Sequence, residues 1–265
     1  MRRLFLVLAA AAMLGLAPKP PSSTPATLSV TRTTLKNGLQ VVVLRDPLAP
    51  VVSTMMNYQV GADEEPFQGL AHAQEHMMFR GSKTVSAAQF AEVTALTGGT
   101  FDADTQNEVT QFFFTVPAQD LDTVLRLEAT RAQGILDSQA LWEEERGAIE
   151  QEVQQDNSLA RYRLYVKMLR NLLAGTPYAD PGLGTMYTFG HLVNAKQLQA
   201  FYAKWYHPNN AILVIAGNVD PQTTIAKVSA LFGPIPAKPL PARRSVRLGP
   251  LRPQTFTDVS SNPEI

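Results

Sequence analysis

The sequence predicts an α+β fold, a largely antiparallel mixed sheet with helices packed on it, and three observations carry that expectation. Lys36, Asn37 and Gly38 separate the β-rich runs TLSVTRTTL and LQVVVLRD, and an Asn-Gly pair in that setting is the strongest short hairpin signal. A second strand pair is read at Phe101 to Asp104 and Val109 to Pro117. A long helical tract then follows from about Ala118 to Leu173, with a break expected near Asp137 and Ser138.

The remaining elements follow from local signals. Val51 to Val60 reads as a third strand. A loop with Pro66 and Gly69 leads into a helix through His72 to Phe79, and a second helix runs from about Ser86, whose Ser-Ala-Ala-Gln start resembles a capping box, to Leu96 before Gly98 and Gly99. Asn194 is the expected N-cap of a helix over Ala195 to Trp205, Asn210 to Ala216 reads as a buried strand, and Pro221 to Phe232 as a helix. Prolines at 234, 236, 239, 241, 250 and 253 mark a linker.

At the other end, Arg2 and Arg3 precede an apolar run from Leu4 to Ala17. It is short for a membrane span and suited to a secretory signal, with an uncleaved anchor as the alternative. The expected organisation is a signal peptide and exported linker over 1–26, a folded domain over 27–233 and a Pro-rich linker over 234–265. A periplasmic or secreted protein is expected, with no stable membrane span after signal cleavage.

Composition narrows the chemistry. The chain has 265 residues, 45% of them hydrophobic and 17% charged, with 23 basic against 23 acidic side chains, so a sizeable core is affordable and wholesale disorder is excluded. Zero net charge and the absence of a basic stripe argue against nucleic acid as a partner. With no cysteine, disulfide scaffolds, iron–sulfur clusters and thiol nucleophiles fall away together, and any metal site must use His, Asp and Glu.

Such a set stands in GLAHAQEHMMFRG, where His72, Glu75 and His76 form an H-x-x-E-H motif. A shuffled chain with 4 His and 12 Glu would contain it roughly 0.003 times. On a helix, residues four apart share a face, so both imidazoles can reach one ion while Glu75 stands beside it as a general base. A third ligand must then be acidic, and LWEEERGAIEQEVQQ offers Glu145 and Glu152, seven apart on a stripe shared with Ala148 and Ile149. An inward carboxylate requires a partner. The pattern alone does not choose between the two, and Glu143, Glu144 and Glu150 point toward solvent. Met77, Met78 and Phe79 read as core, and His191, His207, Asn209 and Asn210 as structural.

GLAHAQEHMMFRGS, the Glu145 and Glu152 pair, GGTFDADT and YHPNNAILVIAGNVDP resemble segments of the pitrilysin, insulinase and mitochondrial processing peptidase family, the inverzincins, over Leu35 to Phe232. That resemblance implies one zinc per chain held by His72, His76 and Glu152, with Glu145 steadying the ligands and Glu75 as catalytic base. It also implies that the strand Thr100, Phe101, Asp102 and Ala103 pairs with an extended peptide substrate. The family commonly has Asn where this chain has Asp102, which adds a negative charge near the site. Family members are built from two similar halves, so the resemblance implies a zinc-dependent endopeptidase half that works with a second half or subunit. A catalytically silent subunit of the same fold and a periplasmic zinc-binding protein are the alternatives, and an intact Glu75 argues against both.

Overall fold

Alternation of apolar and polar residues builds the sheet, and the computed structural model describes it within residues 29–247, with isolated positions 253, 255 and 257 beyond them. The expected signal peptide lies outside the described residues. Six strands, β1 (Ser29–Thr34), β2 (Gln40–Arg45), β3 (Val51–Tyr58), β4 (Thr100–Thr105), β5 (Thr110–Pro117) and β6 (Ala211–Gly217), lie in the order β1-β2-β6-β3-β5-β4. All pairs are antiparallel except β2 with β6, where Val41 stands opposite Leu213. The largely antiparallel expectation therefore holds, with one parallel pair created where β6 inserts between β2 and β3.

One face of the sheet is dry. Val41 and Val43, Met56 and Tyr58, Phe112 and Phe114, and Leu213 and Ile215 alternate inward and are buried, as the two-residue period of a strand requires. The helices are α1 (Leu70–Met77), α2 (Ala87–Leu96), α3 (Leu121–Gln133), α4 (Gln139–Ser158), α5 (Ala160–Leu172), α6 (Met186–His191), α7 (Ala195–Trp205) and α8 (Pro221–Phe232). Local capping chemistry sets several of their starts. Ser86 and Gln89 form a reciprocal capping box, Asn194 accepts from the Gln197 amide, and Ser138 from the Leu141 amide.

The helical tract departs from expectation in one respect. It breaks over 134–138, as expected, but again at Leu159, where extended backbone separates α4 from α5. The side chain of Asn157 donates to the Val153 carbonyl and Ser158 to that of Gln155, so local side chains take over the ladder at the end of α4. Within the core, α3 places Arg131 against Glu128 at 2.5 Å, with the guanidinium 4.6–5.8 Å from the rings of Phe79, Phe90, Phe112 and Phe114. Met77 and Met78 are buried, and the pair Asn209 and Asn210 holds backbone carbonyls, in keeping with structural tasks.

Candidate metal centre

Helix α1 begins at Gly69, whose φ of +89° belongs to the left-handed region and whose missing side chain is equally needed. A Cβ there would stand 2.7 Å from the Gly184 Cα and 2.8 Å from the Phe189 ring. That close approach carries the Leu183 carbonyl to His72. Upstream, the buried Glu65 carboxylate accepts from the Gly69 and Ala71 amides, both at 2.9 Å, and so satisfies donors that the first helical turn leaves unpaired. Burial raises Glu65 to about 8 despite those amides.

Both histidines have one ring nitrogen occupied away from the site. His72 Nδ1 lies 3.0 Å from the Leu183 carbonyl oxygen, and His76 Nδ1 lies 2.8 Å from Glu145 Oε1. A carbonyl and a carboxylate can only accept, so each Nδ1 carries a proton, which leaves Nε2 as the atom of each ring that could turn a lone pair to an ion. Glu152 of α4 meets them there, with its two carboxylate oxygens 3.4 Å from His72 Nε2 and His76 Nε2. The three ligand atoms lie within 4.8 Å of one another, the one such group of His, Asp or Glu among the described residues. Tetrahedral zinc with bonds near 2.1 Å spaces its ligand atoms by about 3.4 Å, so the donor set fits this ion in chemistry and in spacing.

Charge is balanced tightly around that point. Bonds from His72 and His76 hold the Glu152 carboxyl well below the usual carboxylate range. Burial by itself would lower His76, but Glu145 and Glu152 outweigh it and raise the imidazole to about 9. Burial also pushes Glu75 up from its ordinary value, opposed by a 2.5 Å hydrogen bond donated by the Thr105 hydroxyl. Arg80 ties the rear of the site to α4 through Glu144 at 2.7 Å and Glu145 at 3.4 Å.

The fold brings His72, Glu75, His76, Glu145 and Glu152 together, with one correction. Glu145 and Glu152 share a face that turns toward the site rather than into the core, so Ala148 is exposed although Ile149 is fully buried, and Glu152 keeps 46% of its side chain accessible. Of the expected substrate strand, Phe101, Asp102 and Ala103 line a cleft of about 490 Å³ with Glu75, His76 and Glu152, and Thr100 begins the same strand. A second cleft of about 220 Å³ lies on the other side, lined by His72, Glu75, Ala103, Thr105 and Tyr162 among others. Strand β4 is the sheet edge between them. Glu65, Thr105 and Leu183 escaped the sequence reading; an acid just ahead of a helix start was the signal for Glu65, and a carbonyl oxygen gives none. His191 and His207 stand apart and bond backbone carbonyls of their own segments.

A buried H-x-x-E-H helix facing a carboxylate from a second helix is the arrangement of the metallopeptidases with the inverted zinc motif. The family profile of the insulinase peptidases, family M16, matches residues 40–185, which include every residue of the centre, and that of the M16 inactive domain matches residues 193–264. The chain belongs to the M16 insulinase peptidase family. A zinc protease of Rickettsia bellii is 31% identical over 200 residues, covering 75% of this chain and 48% of the relative. Zinc protease PqqE of Helicobacter pylori is 30% identical over 194 residues, 71% of this chain and 43% of its own length. The chain thus spans about half the length of the curated relatives it matches. Among solved structures, the first half of the periplasmic protease PqqL from Escherichia coli superposes with a TM-score of 0.76 at 25% identity, covering 82% of this chain and 48% of the other. Pitrilysin does so with 0.76 at 26%, covering 85% and 24%. No described helix is long and apolar enough to cross a membrane.

Proposed function

We propose that this chain is the zinc-binding half of an endopeptidase that hydrolyses unstructured peptides or small proteins. The observation that carries the reading is the convergence of His72 Nε2, His76 Nε2 and Glu152 on one point with Glu75 beside it. His72, His76 and Glu152 would hold a single zinc, which when bound acidifies water and polarises a carbonyl. Glu75 takes the proton of the attacking water and hands it to the leaving amine, and its raised pKa suits a group that must both accept and give. Thr105 holds Glu75 at one oxygen and leaves the other to the reaction. Glu145 keeps the His76 ring in the tautomer that ligates.

The substrate reading rests on the sheet edge. The edge strand β4 at Phe101, Asp102 and Ala103 suits pairing with an extended chain, for which the Ala103 amide would exchange its 2.9 Å bond to Asp102 Oδ1, and the cleft beside it, walled by Phe79, Phe90 and Phe101, suits an apolar side chain. The domain over 27–233 would be exported, like the periplasmic protease it resembles, and joined through the Pro-rich segment to a second half that supplies oxyanion donors. A silent subunit or a metal carrier has no use for a buried Glu75 held by Thr105.

Two measurements on one variant test this. Glu75→Gln should keep its zinc and lose about 10²–10⁴ in the rate of peptide hydrolysis, assayed with the complementary half. Activity within about tenfold of the parent would reject Glu75 as base.

A further inference from the structure

Over 233–247, the described stretch after α8, the chain has no regular secondary structure, yet it is fastened to the domain at successive points. Asn37 donates to the carbonyls of Phe232 and Ile235 at 2.8 and 2.9 Å, and Ile235 is buried. Asn209 holds residue 238 from both sides, donating to the Lys238 carbonyl and accepting from its amide. Arg243 stacks 5.5 Å over the Trp205 ring and donates to Asn210 Oδ1 and the Gln59 carbonyl. A stretch rich in proline and exposed lysine and arginine is thereby a strap, not a loose tether.

The last fastening differs from the others. Arg244 donates its backbone amide to Glu64 Oε1 and its guanidinium to the Glu65 carbonyl, both at 2.9 Å. Glu65 is the residue whose carboxylate receives the Gly69 and Ala71 amides at the start of α1. One residue further on is His72. An unbroken line of hydrogen bonds therefore runs from the strap to the helix that carries both imidazoles and Glu75. Glu64 and Glu65 close a short 3-10 turn, Ala62–Glu64, that is itself pinned at its start by the carbonyls of Gln106 and Asn107 at the β4–β5 turn. With both ends of that turn held, the Glu65 carboxylate has little freedom to leave the α1 amides.

We propose that Arg244 is a positioning residue for the metal centre: by clamping Glu64 and Glu65 it fixes the start of α1, and through it the spacing of His72 and His76. The inference rests on the zinc reading above. Arg244 touches neither metal nor substrate, so its effect is on how well the ligands are preset. It also means that the segment leading out of the domain is wired to the site, so that pulling or repositioning the strap alters metal affinity.

The test is zinc affinity of the full 265-residue chain, measured by competition with a chromophoric chelator well below the melting temperature, so that no activity is needed. Arg244→Ala should weaken zinc about tenfold, the lower end of what loss of a supporting hydrogen bond around a metal site costs. Arg244→Lys should recover part of the loss, because an ammonium can still donate to the Glu65 carbonyl. Arg243→Ala, which loosens the same strap without touching Glu64 or Glu65, should stay within about twofold of the parent. Unchanged affinity in Arg244→Ala, or an equal loss in Arg243→Ala, would overturn the proposal by reducing the strap to general stability. If Arg244→Ala does not fold, Arg244→Gln is judged by the same criterion. Glu152→Gln serves as the independent control: full retention of zinc there would overturn the underlying metal reading, whereas its loss together with an unaffected Arg244→Ala would overturn the strap proposal alone.

Discussion

The two sides of the metal centre are built in opposite ways. On the histidine side, α1 is buried almost throughout, the His72 and His76 side chains are 8% and 18% exposed, and each ring is fixed by a second acceptor. On the carboxylate side, α4 buries only Trp142, Ile149 and Val153, and Glu152 stands 46% exposed. The difference teaches where precision comes from. The imidazoles are set by packing before any ion arrives, whereas the carboxylate is set by the imidazoles and the ion it meets.

The largest expected effect breaks the comparison, because a ligand is needed from either side. At a thousand times its dissociation constant, zinc should stabilise the parent by about 4 kcal/mol and neither His72→Ala nor Glu152→Gln, as read by melts with and without chelator. Glycines sharpen the contrast. Gly69→Ala should cost about 2–4 kcal/mol, since a left-handed φ of +89° and contacts below 3 Å with Gly184 and Phe189 act together. Urea unfolding of the metal-free chain checks it.

Behind α1, Asp137 tests the buried side by pH. Burial raises its carboxyl from an ordinary value of 3.8 to about 7, opposed by two long 3.4 Å contacts from the Gln74 amide. Between those values the unfolded chain releases a proton that the folded chain keeps, so stability falls as pH rises from about 4 to about 7 and then levels off. Asp137→Asn removes that slope. Relative to this variant the parent should lose stability on the order of 2 kcal/mol across the window, measured by denaturant melts of chelated protein at successive pH values.

Smaller effects belong to the open side. Glu145→Gln should weaken zinc by about 10–100-fold, equivalent to about 1.4–2.7 kcal/mol, by loosening the His76 tautomer, measurable by chelator competition. Gly147→Ala, in the exposed interior of α4 with nothing within 4 Å of the added carbon, should stabilise by about 0.5–1 kcal/mol in thermal or urea melts. The same glycine-to-alanine change thus carries opposite signs on the two helices.

Legibility in the sequence followed the same divide between local and distant causes. The hairpin at Asn37-Gly38, the Ser86 box and the Asn194 cap are decided by residues within four positions, and they stand where the sequence puts them. The spacing of His72, Glu75 and His76 is equally local. The parallel pairing of β2 with β6 is not, nor is the bond of His72 to a carbonyl 111 residues away. Leu159 interrupts the helical tract without a proline or glycine to announce it. The face bearing Glu145 and Glu152 was visible as a period of seven, but periodicity cannot tell a face that meets the core from one that borders a cleft.

Strand β4 ends the sheet with no further strand beside it among the described residues, which makes it a template for an extended chain, another copy of this protein included. Asp102 and Asp104 stand exposed on that strand. If two copies paired antiparallel about Ala103, each Asp102 would face the other's Asp104, placing like charges directly across the ladder. A peptide without acids at those positions meets no such penalty. The two carboxylates therefore disfavour pairing of this edge with a second copy of itself while leaving it open to foreign chains.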